Sequence, residues 1–341
     1  MKLLVTADPG LEDVAADELH GCDPAAEVLL EPFGLPGHLQ VETGDPDGLT
    51  RLRTIHDIIR ICAVESAGGL ESIRAAVAGI AIDEMQHATT FRVTSQRYGD
   101  HDFGHMDIQR VAGAAVQGRY GTPVDLDDPA VTVRVNLYGD RLLVGVQRTR
   151  RPLSNRLRRA RSLRTALKPT IAAAMLRLAG VHRGGGRLLD PLCGTGTIPV
   201  EAKEINPALE VHAGDWDEET VAVARATVAN HGLDIDVRLC DARHLAPVYP
   251  GVFDYIVTDP PYGVRQARRV QLARFYSEVL QSLEARLAPD GVIAIVVLKF
   301  HAFRAGLRRT GLRVVHERLI EAGGLHPRIY LLRHGFGAHP D

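Results

Sequence analysis

Strands and helices are predicted to alternate regularly through the second half of the chain. After a helix predicted at residues 166–179, the apolar pattern predicts five strands, most of them separated by helices, at 187–190, 210–214, 236–239, 255–258 and 292–298. Strands that alternate with helices form a parallel sheet with helices on both faces. Two further strands, at 312–318 and 328–333, are close enough in sequence for an antiparallel hairpin at the sheet edge. The sequence therefore predicts an α/β fold with a doubly wound, mostly parallel sheet.

The first half of the chain mixes helices and strands without this regularity. Strands are predicted at residues 2–7, 38–43, 89–94, 131–137 and 141–146, and helices at 11–19, 72–78 and 106–117. This pattern indicates an α+β organisation in front of the sheet domain.

The composition is that of a globular chain without extreme charge. The 341 residues carry a net charge of −2, so any binding of nucleic acid must come from a local concentration of positive charge. The four cysteines form no CxxC pair, which argues against a disulfide framework or a zinc cluster and favours a reducing, cytoplasmic setting. No signal-peptide pattern and no run of about 20 apolar residues occurs, so neither export nor membrane insertion is expected.

Positive charge is concentrated between Gln147 and Lys168, where nine basic residues and no acidic residue occur. Such a run is usually the solvated face of a linker. Between two units that handle nucleic acid it is equally a phosphate-binding segment, because guanidinium groups match the geometry of phosphates.

A glycine-rich turn, DPLCGTGT at residues 190–197, follows the first strand of the sheet domain. Pro199 stands where a dinucleotide fingerprint requires its third glycine, and the Walker pattern is absent as well. Loss of both phosphate signatures favours a nucleoside ligand without phosphates, and S-adenosylmethionine is the obvious candidate. Asp190 would lie near its amino group, with the following backbone along the methionine portion. The cofactor residues predicted in this turn are Asp190, Cys193, Gly194, Thr195, Gly196 and Thr197.

The next two strands also end in acidic turns. Asp215 is predicted to accept the ribose hydroxyls, Trp216 to cover one face of adenine, and Asp217 to cap the following helix. After the third strand, Asp241 is predicted to accept from the adenine amino group and the Ala242 amide to donate to a ring nitrogen.

The fourth strand ends in Asp259-Pro260-Pro261-Tyr262. The prolines fix φ and remove backbone donors, so carbonyl groups and the Asp259 carboxylate are left to accept hydrogens from an amine. Tyr262 offers a plane on which a base can stack. Alone, the two prolines are more often an ordinary turn than a site, and a site there would be compatible with adenine, guanine or glutamine. The cofactor turn upstream favours a methyl-transfer site.

The four turns DPLCGTGT, GDWD, CDAR and TDPPYG together resemble those of S-adenosylmethionine-dependent amino-methyltransferases with an Asp/Asn-Pro-Pro-Tyr motif. In the first half, FRVT at 91–94 with Arg97, DIQR at 107–110 and VTVRV at 131–135 resemble a THUMP domain. ALKPT at 166–170 is similar to the segment that opens THUMP-linked methyltransferase domains.

Within that group, GVR at 263–265 and GGLHPRIY at 323–330 look most like the enzymes that form N2-methylguanosine at position 6 of the tRNA acceptor stem. Asp259 stands where several of those enzymes carry Asn and where the guanosine-10 enzymes carry Asp. The same chemistry at guanosine 10, with one or two methyl groups, or in ribosomal RNA therefore stays open.

The resemblance implies four parts: a ferredoxin-like unit at 1–55, a THUMP domain at 56–147, an Arg-rich linker at 148–165 and a Rossmann-like methyltransferase domain at 166–341. It implies a monomeric enzyme that uses S-adenosylmethionine and binds tRNA, with the THUMP domain on the 3′ end. The target guanine would be flipped out onto Tyr262, with its N2 amine bonded to the Asp259 side chain and the Pro260 carbonyl. The arginines expected to contact RNA are Arg97, Arg156, Arg158, Arg159, Arg161, Arg265, Arg268 and Arg328.

Other interpretations are weighed against this one. Methylation of adenine in DNA would need a base-reading element, and methylation of glutamine in a protein would have little use for the basic run. A non-catalytic RNA-binding adaptor would not need the cofactor turns and the Asp-Pro-Pro-Tyr motif. His101 and His105 are four residues apart beside acids, but the glycines around them disfavour the helix that a metal pair needs, so no metal is expected.

Overall fold

The computed structural model describes residues 1–161, 166–261 and 269–335, and gives only the backbone of residues 269–271. The chain forms two compact units. The first comprises Met1–Ala7 and Ala16–Leu153, and the second comprises Asp8–Ala15 and Ser154–Asp341. Within the described ranges, no helix combines the length and the apolar character that crossing a membrane requires.

The first unit is built on one mixed sheet. Its elements in chain order, with α1 shared with the second unit, are β1 (Lys2–Ala7), α1 (Glu12–Cys22), β2 (Glu27–Leu30), β3 (His38–Glu42), β4 (Ile55–Ser66), α2 (Leu70–Gly79), β5 (Phe91–Thr94), β6 (Arg97–Tyr98), α3 (His105–Tyr120), β7 (Val131–Tyr138) and β8 (Arg141–Gln147). The strand order is β2-β3-β1-β4-β8-β7-β5, and β6 also pairs with β7. Helices α2 and α3 pack on one face, against apolar residues of β5, β7 and β8.

The 12-residue strand β4 is the main element that the sequence pattern did not predict, together with the short edge strand β2. His56, Asp57 and Arg60 interrupt its apolar run and weaken the two-residue alternation on which strand prediction depends. In the sheet, β4 pairs with both β1 and β8. One continuous sheet therefore runs through the segments 1–55 and 56–147.

The second unit contains the predicted doubly wound sheet. Its further elements are α4 (Pro169–Leu178), β9 (Gly186–Asp190), α5 (Thr197–Ile205), β10 (Leu209–Asp215), α6 (Glu218–Asn230), β11 (Asp236–Leu239), β12 (Phe253–Thr258), α7 (Arg269–Glu284), β13 (Leu287–Val297), α8 (Phe300–Leu307), β14 (Leu312–Leu319) and β15 (Arg328–His334). The order is β11-β10-β9-β12-β13-β15-β14. Strands β9 to β13 pair in parallel, whereas β15 is antiparallel to β13 and β14. The predicted fold class, including the closing antiparallel hairpin, is confirmed.

Both faces of this sheet are buried, which explains why its strands are continuously apolar. In β9, Leu188 packs on the side of α4 and α5, and Leu189 packs on the side of α7 and α8. In β12, Val257 packs on the side of α4 and α5, and Ile256 packs on the side of α7 and α8. The helix predicted from residue 166 begins only at Pro169, because proline is well suited to the first helical position, where its missing N–H has no intrahelical acceptor.

The last described part of the arginine-rich run belongs to the second unit. Residues 154–161, here called the strap, lie along helices α5 and α6. The Arg158 amide donates to His231 Nε2 at 2.9 Å, and the Ala160 amide donates to Thr227 Oγ1 at 3.2 Å. Leu157 packs against apolar side chains of α5 and α6. This part of the predicted linker is therefore a packed segment of the second unit.

Candidate active site

Two predicted site residues, Asp190 and Asp259, lie where the strand order of the sheet changes direction. Strands β9 and β12 are neighbours, and the chain extends from β9 toward β10 on one side and from β12 toward β13 on the other. The carboxyl ends of strands at such a switch point border a crevice in which α/β proteins bind ligands. Asp190 is the last residue of β9, and Asp259 follows directly after β12.

The hydrogen bonds to the Asp190 carboxylate are made to one of its two oxygens, Oδ1. Its Oδ1 accepts a hydrogen bond of 2.7 Å from the Thr258 hydroxyl and one of 3.3 Å from the Leu192 amide. Its Oδ2 is buried and has no hydrogen-bond partner among the residues that the structure describes. Burial raises the pKa of Asp190 to about 8, and the negative charges of Asp259 and Asp215 add to the shift. A buried carboxyl with one open oxygen is suited to a cationic partner.

The glycine-rich turn is shaped by two residues with positive φ, Gly194 at 51° and Gly196 at 89°. Its backbone is tied to the next strand, because the Cys193 amide donates to the Gly214 carbonyl at 2.8 Å. Thr195 is only 3% exposed, and its Oγ1 has no hydrogen-bond partner in the described part of the chain. Burial raises the pKa of the Cys193 thiol well above its usual range, so this thiol is not an activated nucleophile.

Asp215, at the end of β10, is nearly buried and faces this turn. Its Oδ2 accepts from the Gly194 amide at 3.1 Å, and its Oδ1 accepts from the Asp217 amide at 3.2 Å. Burial raises its pKa. Trp216, by contrast, is 75% exposed, so a large apolar surface is left open beside the turn. Asp217 caps α6 as predicted, since its side chain accepts from the Thr220 amide.

Asp241 and Ala242 follow β11, at the same edge of the sheet. Arg243 donates to both carboxylate oxygens of Asp241, and these hydrogen bonds lower the pKa of Asp241 to about 2. The carboxylate keeps lone pairs for a further donor. Ala242 is buried.

Asp259 is half-buried and Pro260 is buried. Tyr262, the third predicted catalytic residue, lies outside the described residues, as do Arg265 and Arg268. Tyr276 of α7 is fully buried, and its hydroxyl has no hydrogen-bond partner within the described ranges. Burial, together with the charge of Asp259, raises the pKa of the Tyr276 phenol.

The arginines predicted to contact RNA have diverse surroundings. Arg156 forms a two-pronged ion pair with the fully buried Glu201, with Nε and Nη2 donating at 3.0 and 2.8 Å. Arg161 pairs with Glu219 at 2.6 Å. Arg158 is exposed, and Arg159 is half-buried beside the glycine-rich turn.

The two remaining arginines lie elsewhere. Arg97 of β6 donates to the carbonyls of Gly99 and His101 at 3.1 and 3.3 Å. Arg328 pairs with Glu317, and its guanidinium lies 4.8 Å from the centre of the Phe300 ring. Arg156 and Arg328 thus have carboxylate partners within the protein, whereas Arg158 keeps its side chain exposed to solvent.

Three residues near the site were missed by the sequence analysis: Thr258, Glu201 and Tyr276. A polar residue inside an apolar strand, just before the Asp-Pro-Pro-Tyr motif, was a usable signal for Thr258. Glu201 and Tyr276 lie within ordinary helical patterns, which gave no indication of their surroundings.

Residues 156–328 match the family model of the RMKL-like methyltransferase domain, and residues 69–147 match the model of the THUMP domain. The chain therefore belongs to the family of RMKL-like methyltransferases that carry a THUMP domain. The predicted resemblance to THUMP-linked methyltransferases is confirmed.

Two relatives that match nearly the full chain carry the same name. The tRNA (guanine(6)-N2)-methyltransferase of Thermus thermophilus is 37% identical, over 97% of this chain and 99% of the relative. The tRNA (guanine(6)-N2)-methyltransferase of Archaeoglobus fulgidus is 30% identical, over 96% of this chain and 91% of the relative. The crystal structure of TrmN from Thermus thermophilus matches with a TM-score of 0.86 at 34% identity, over 98% of this chain and 99% of that structure.

Proposed function

We propose that this protein is a monomeric, cytoplasmic enzyme that transfers a methyl group from S-adenosylmethionine to the N2 amine of guanosine 6 in tRNA. The observation that supports methyl transfer is the position of two acidic residues at the switch point of the sheet. Asp190, whose buried Oδ2 is open to a ligand, ends one strand, and Asp259 follows the neighbouring strand. The choice of guanosine 6 rests on the 37% identity to a relative of that name over nearly the full chain. Methylation at guanosine 10 or in ribosomal RNA is not favoured.

The residues present fit S-adenosylmethionine. The open Oδ2 of Asp190 suits the α-ammonium group, and the Thr195 hydroxyl adds a second buried polar atom at the same turn. Asp215 suits the ribose hydroxyls, and the exposed face of Trp216 suits adenine. The Asp241 carboxylate accepts from the adenine amino group, and the Ala242 amide donates to a ring nitrogen of adenine. When bound, the cofactor supplies an electrophilic methyl group on a sulfonium.

The protein's part in the reaction is alignment of the amine. Asp259 and the Pro260 carbonyl accept the two hydrogens of N2, which turns the nitrogen lone pair toward the methyl group. Tyr262 is assigned to stacking of the flipped base. No nucleophilic cysteine is required, and burial raises the pKa of Cys240 to about 12, which keeps that thiol protonated.

Recognition of tRNA is assigned to the first unit. The THUMP match at 69–147 precedes the methyltransferase match at 156–328, which supports the predicted order of parts at 1–55, 56–147, 148–165 and 166–341. The non-catalytic adaptor is not favoured, because a buried carboxyl with an open oxygen is costly unless a ligand uses it.

The test is to map the methylated nucleotide. Unmodified tRNA transcripts are incubated with the enzyme and S-adenosylmethionine, digested, and analysed by mass spectrometry. We expect N2-methylguanosine at nucleotide 6, loss of the product when adenosine replaces guanosine at nucleotide 6, and retention when adenosine replaces guanosine at nucleotide 10. The reverse pattern would move the target to guanosine 10. Absence of any thermal stabilisation by S-adenosylmethionine would contradict the enzyme assignment.

A further inference from the structure

Two arginines of the strap form ion pairs with acidic residues of the second unit. Arg156 donates to both oxygens of Glu201, and Arg161 pairs with Glu219 at 2.6 Å. Their positive charges are therefore balanced within the second unit. Arg159, which lies between them, is different.

Among the described residues, the hydrogen-bond acceptors of Arg159 are neutral. Its Nη2 donates to the Leu167 carbonyl at 2.9 Å and to Thr197 Oγ1 at 3.2 Å. Its Nε is buried and has no hydrogen-bond partner in the part of the chain that the structure describes. Burial lowers the pKa of Arg159, and the nearby charge of Glu201, which is held by Arg156, opposes this shift. A partly buried guanidinium with an open donor needs an anion, because burial of an unbalanced charge is costly.

The surroundings of Arg159 also favour an anion. Thr197 is the first residue of the nine-residue helix α5, so the first N–H groups of this helix have no intrahelical acceptors and its positive dipole end lies here. Thr195, two residues earlier, contributes a buried hydroxyl that has no hydrogen-bond partner among the described residues. Arg159 therefore lies at the carboxyl-terminal end of the cofactor turn, whereas Asp190 lies at its beginning.

We propose that Arg159 binds the carboxylate of the methionine portion of S-adenosylmethionine, while Asp190 binds the ammonium group of the same zwitterion. The proposal rests on the proposed function and adds an anion-binding residue from outside the sheet. It assigns Arg159 to the cofactor and not to an RNA phosphate. It also gives the strap a role in completing the cofactor site.

Decarboxylated S-adenosylmethionine tests this directly, because it keeps the ammonium, the sulfonium and the nucleoside but lacks the carboxylate. Isothermal titration calorimetry without RNA gives the affinities of the wild type, Arg159→Gln and Arg159→Lys for both compounds. We expect Arg159→Gln to weaken S-adenosylmethionine binding about tenfold or more, and binding of the decarboxylated compound less than twofold. Arg159→Lys keeps the charge without the fork and should be intermediate.

Arg308→Gln is the matched control, since Arg308 is an exposed arginine that follows α8. It should bind both compounds as the wild type does. If Arg159→Gln weakens both compounds equally, Arg159 only ties the strap to the turn, and the proposal is overturned. Unchanged affinity of Arg159→Gln for S-adenosylmethionine overturns it as well. Failure of the wild type to bind S-adenosylmethionine would instead refute the proposed function.

Discussion

Thr258, the last residue of β12, donates a hydrogen bond of 2.7 Å to Oδ1 of Asp190, the last residue of β9. Both side chains are buried. The bond connects the strand that carries Asp259 to the strand that opens the cofactor turn. It also orients the Asp190 carboxyl group, so that Oδ2 is the oxygen left for a ligand. The two halves of the proposed site, the cofactor half at Asp190 and the amine half at Asp259, are therefore linked through one hydroxyl group.

Replacement of Thr258 by Val should weaken cofactor binding. Valine keeps the shape and the strand preference but removes the donor, so the Asp190 carboxylate loses a bond that lowers its pKa. We expect the affinity for S-adenosylmethionine at pH 7.5 to fall about tenfold, as measured by calorimetry. Thr310→Val is the control, because the Thr310 hydroxyl donates to the Leu307 carbonyl after α8. Equal affinities of Thr258→Val and wild type would contradict the linkage.

Asp190→Asn should stabilise the free protein at pH 8 while it abolishes cofactor binding. The pKa of Asp190 is raised to about 8, so the unfolded chain loses this proton near pH 4 whereas the folded chain keeps it to about pH 8. This group therefore lowers the free energy of unfolding as pH rises between those values. Asn cannot ionise, so the variant should melt at a higher temperature than the wild type at pH 8 and at a similar temperature at pH 4. A lower melting temperature at pH 8 would count against the raised pKa.

Cofactor binding should release a proton from Asp190. With a pKa of about 8, the carboxyl is mostly protonated at pH 7 in the free protein, and pairing with the ammonium group requires the carboxylate. We expect close to one proton to be released at pH 7, and the affinity to rise as pH increases from 6 to 7.5. Calorimetry in phosphate and in Tris measures the release from the difference in apparent enthalpy. Identical enthalpies in the two buffers would show that Asp190 is already ionised.

Asp259→Asn should keep much of the activity that Asp259→Ala loses. The assigned role of Asp259 is to accept a hydrogen from N2, and the Asn carbonyl can still accept one. We expect transfer of labelled methyl groups into tRNA to fall less than about tenfold with Asn and about 10²-fold or more with Ala. Cofactor affinity should not decrease in either variant. Loss of the Asp259 charge lowers the pKa of Asp190, which favours the carboxylate that binds the ammonium group. Unchanged turnover of Asp259→Ala would remove Asp259 from the mechanism.

The sheet of the second unit and its acidic turns could be predicted because they follow from local sequence. Strands buried on both faces are continuously apolar, and parallel strands bring their carboxyl ends to one edge, so Asp190, Asp215 and Asp259 were placed by counting strands. The strand β4 was missed because its polar residues obscure the alternation, while its position between β1 and β8 is fixed by contacts distant in sequence.

The strap could not be predicted for a different reason. Whether an arginine contacts phosphate or a protein carboxylate depends on which acidic residue folds next to it. Arg156 and Glu201 are 45 residues apart, and Glu201 lies in an ordinary helical pattern. A run of basic residues therefore predicts a local positive charge, but it does not predict which groups the basic side chains contact. The same limit applies to Arg159, whose acceptors Leu167 and Thr197 are uncharged.

The ion pair of Arg156 and Glu201 gives the sharpest test of this distinction. The Glu201 side chain is fully buried, so Arg156→Met should remove the two-pronged ion pair to this carboxylate and destabilise the protein by about 3 kcal/mol, as measured by urea unfolding. The double variant Arg156→Met/Glu201→Met removes both charges and should recover most of that loss. Neither variant should change the salt dependence of tRNA binding, because each phosphate contact contributes to that slope and an arginine held by Glu201 adds none. The contrary result would be that Arg156→Met unfolds in urea as the wild type does and that its tRNA binding depends less steeply on salt. Arg156 would then be assigned to RNA binding.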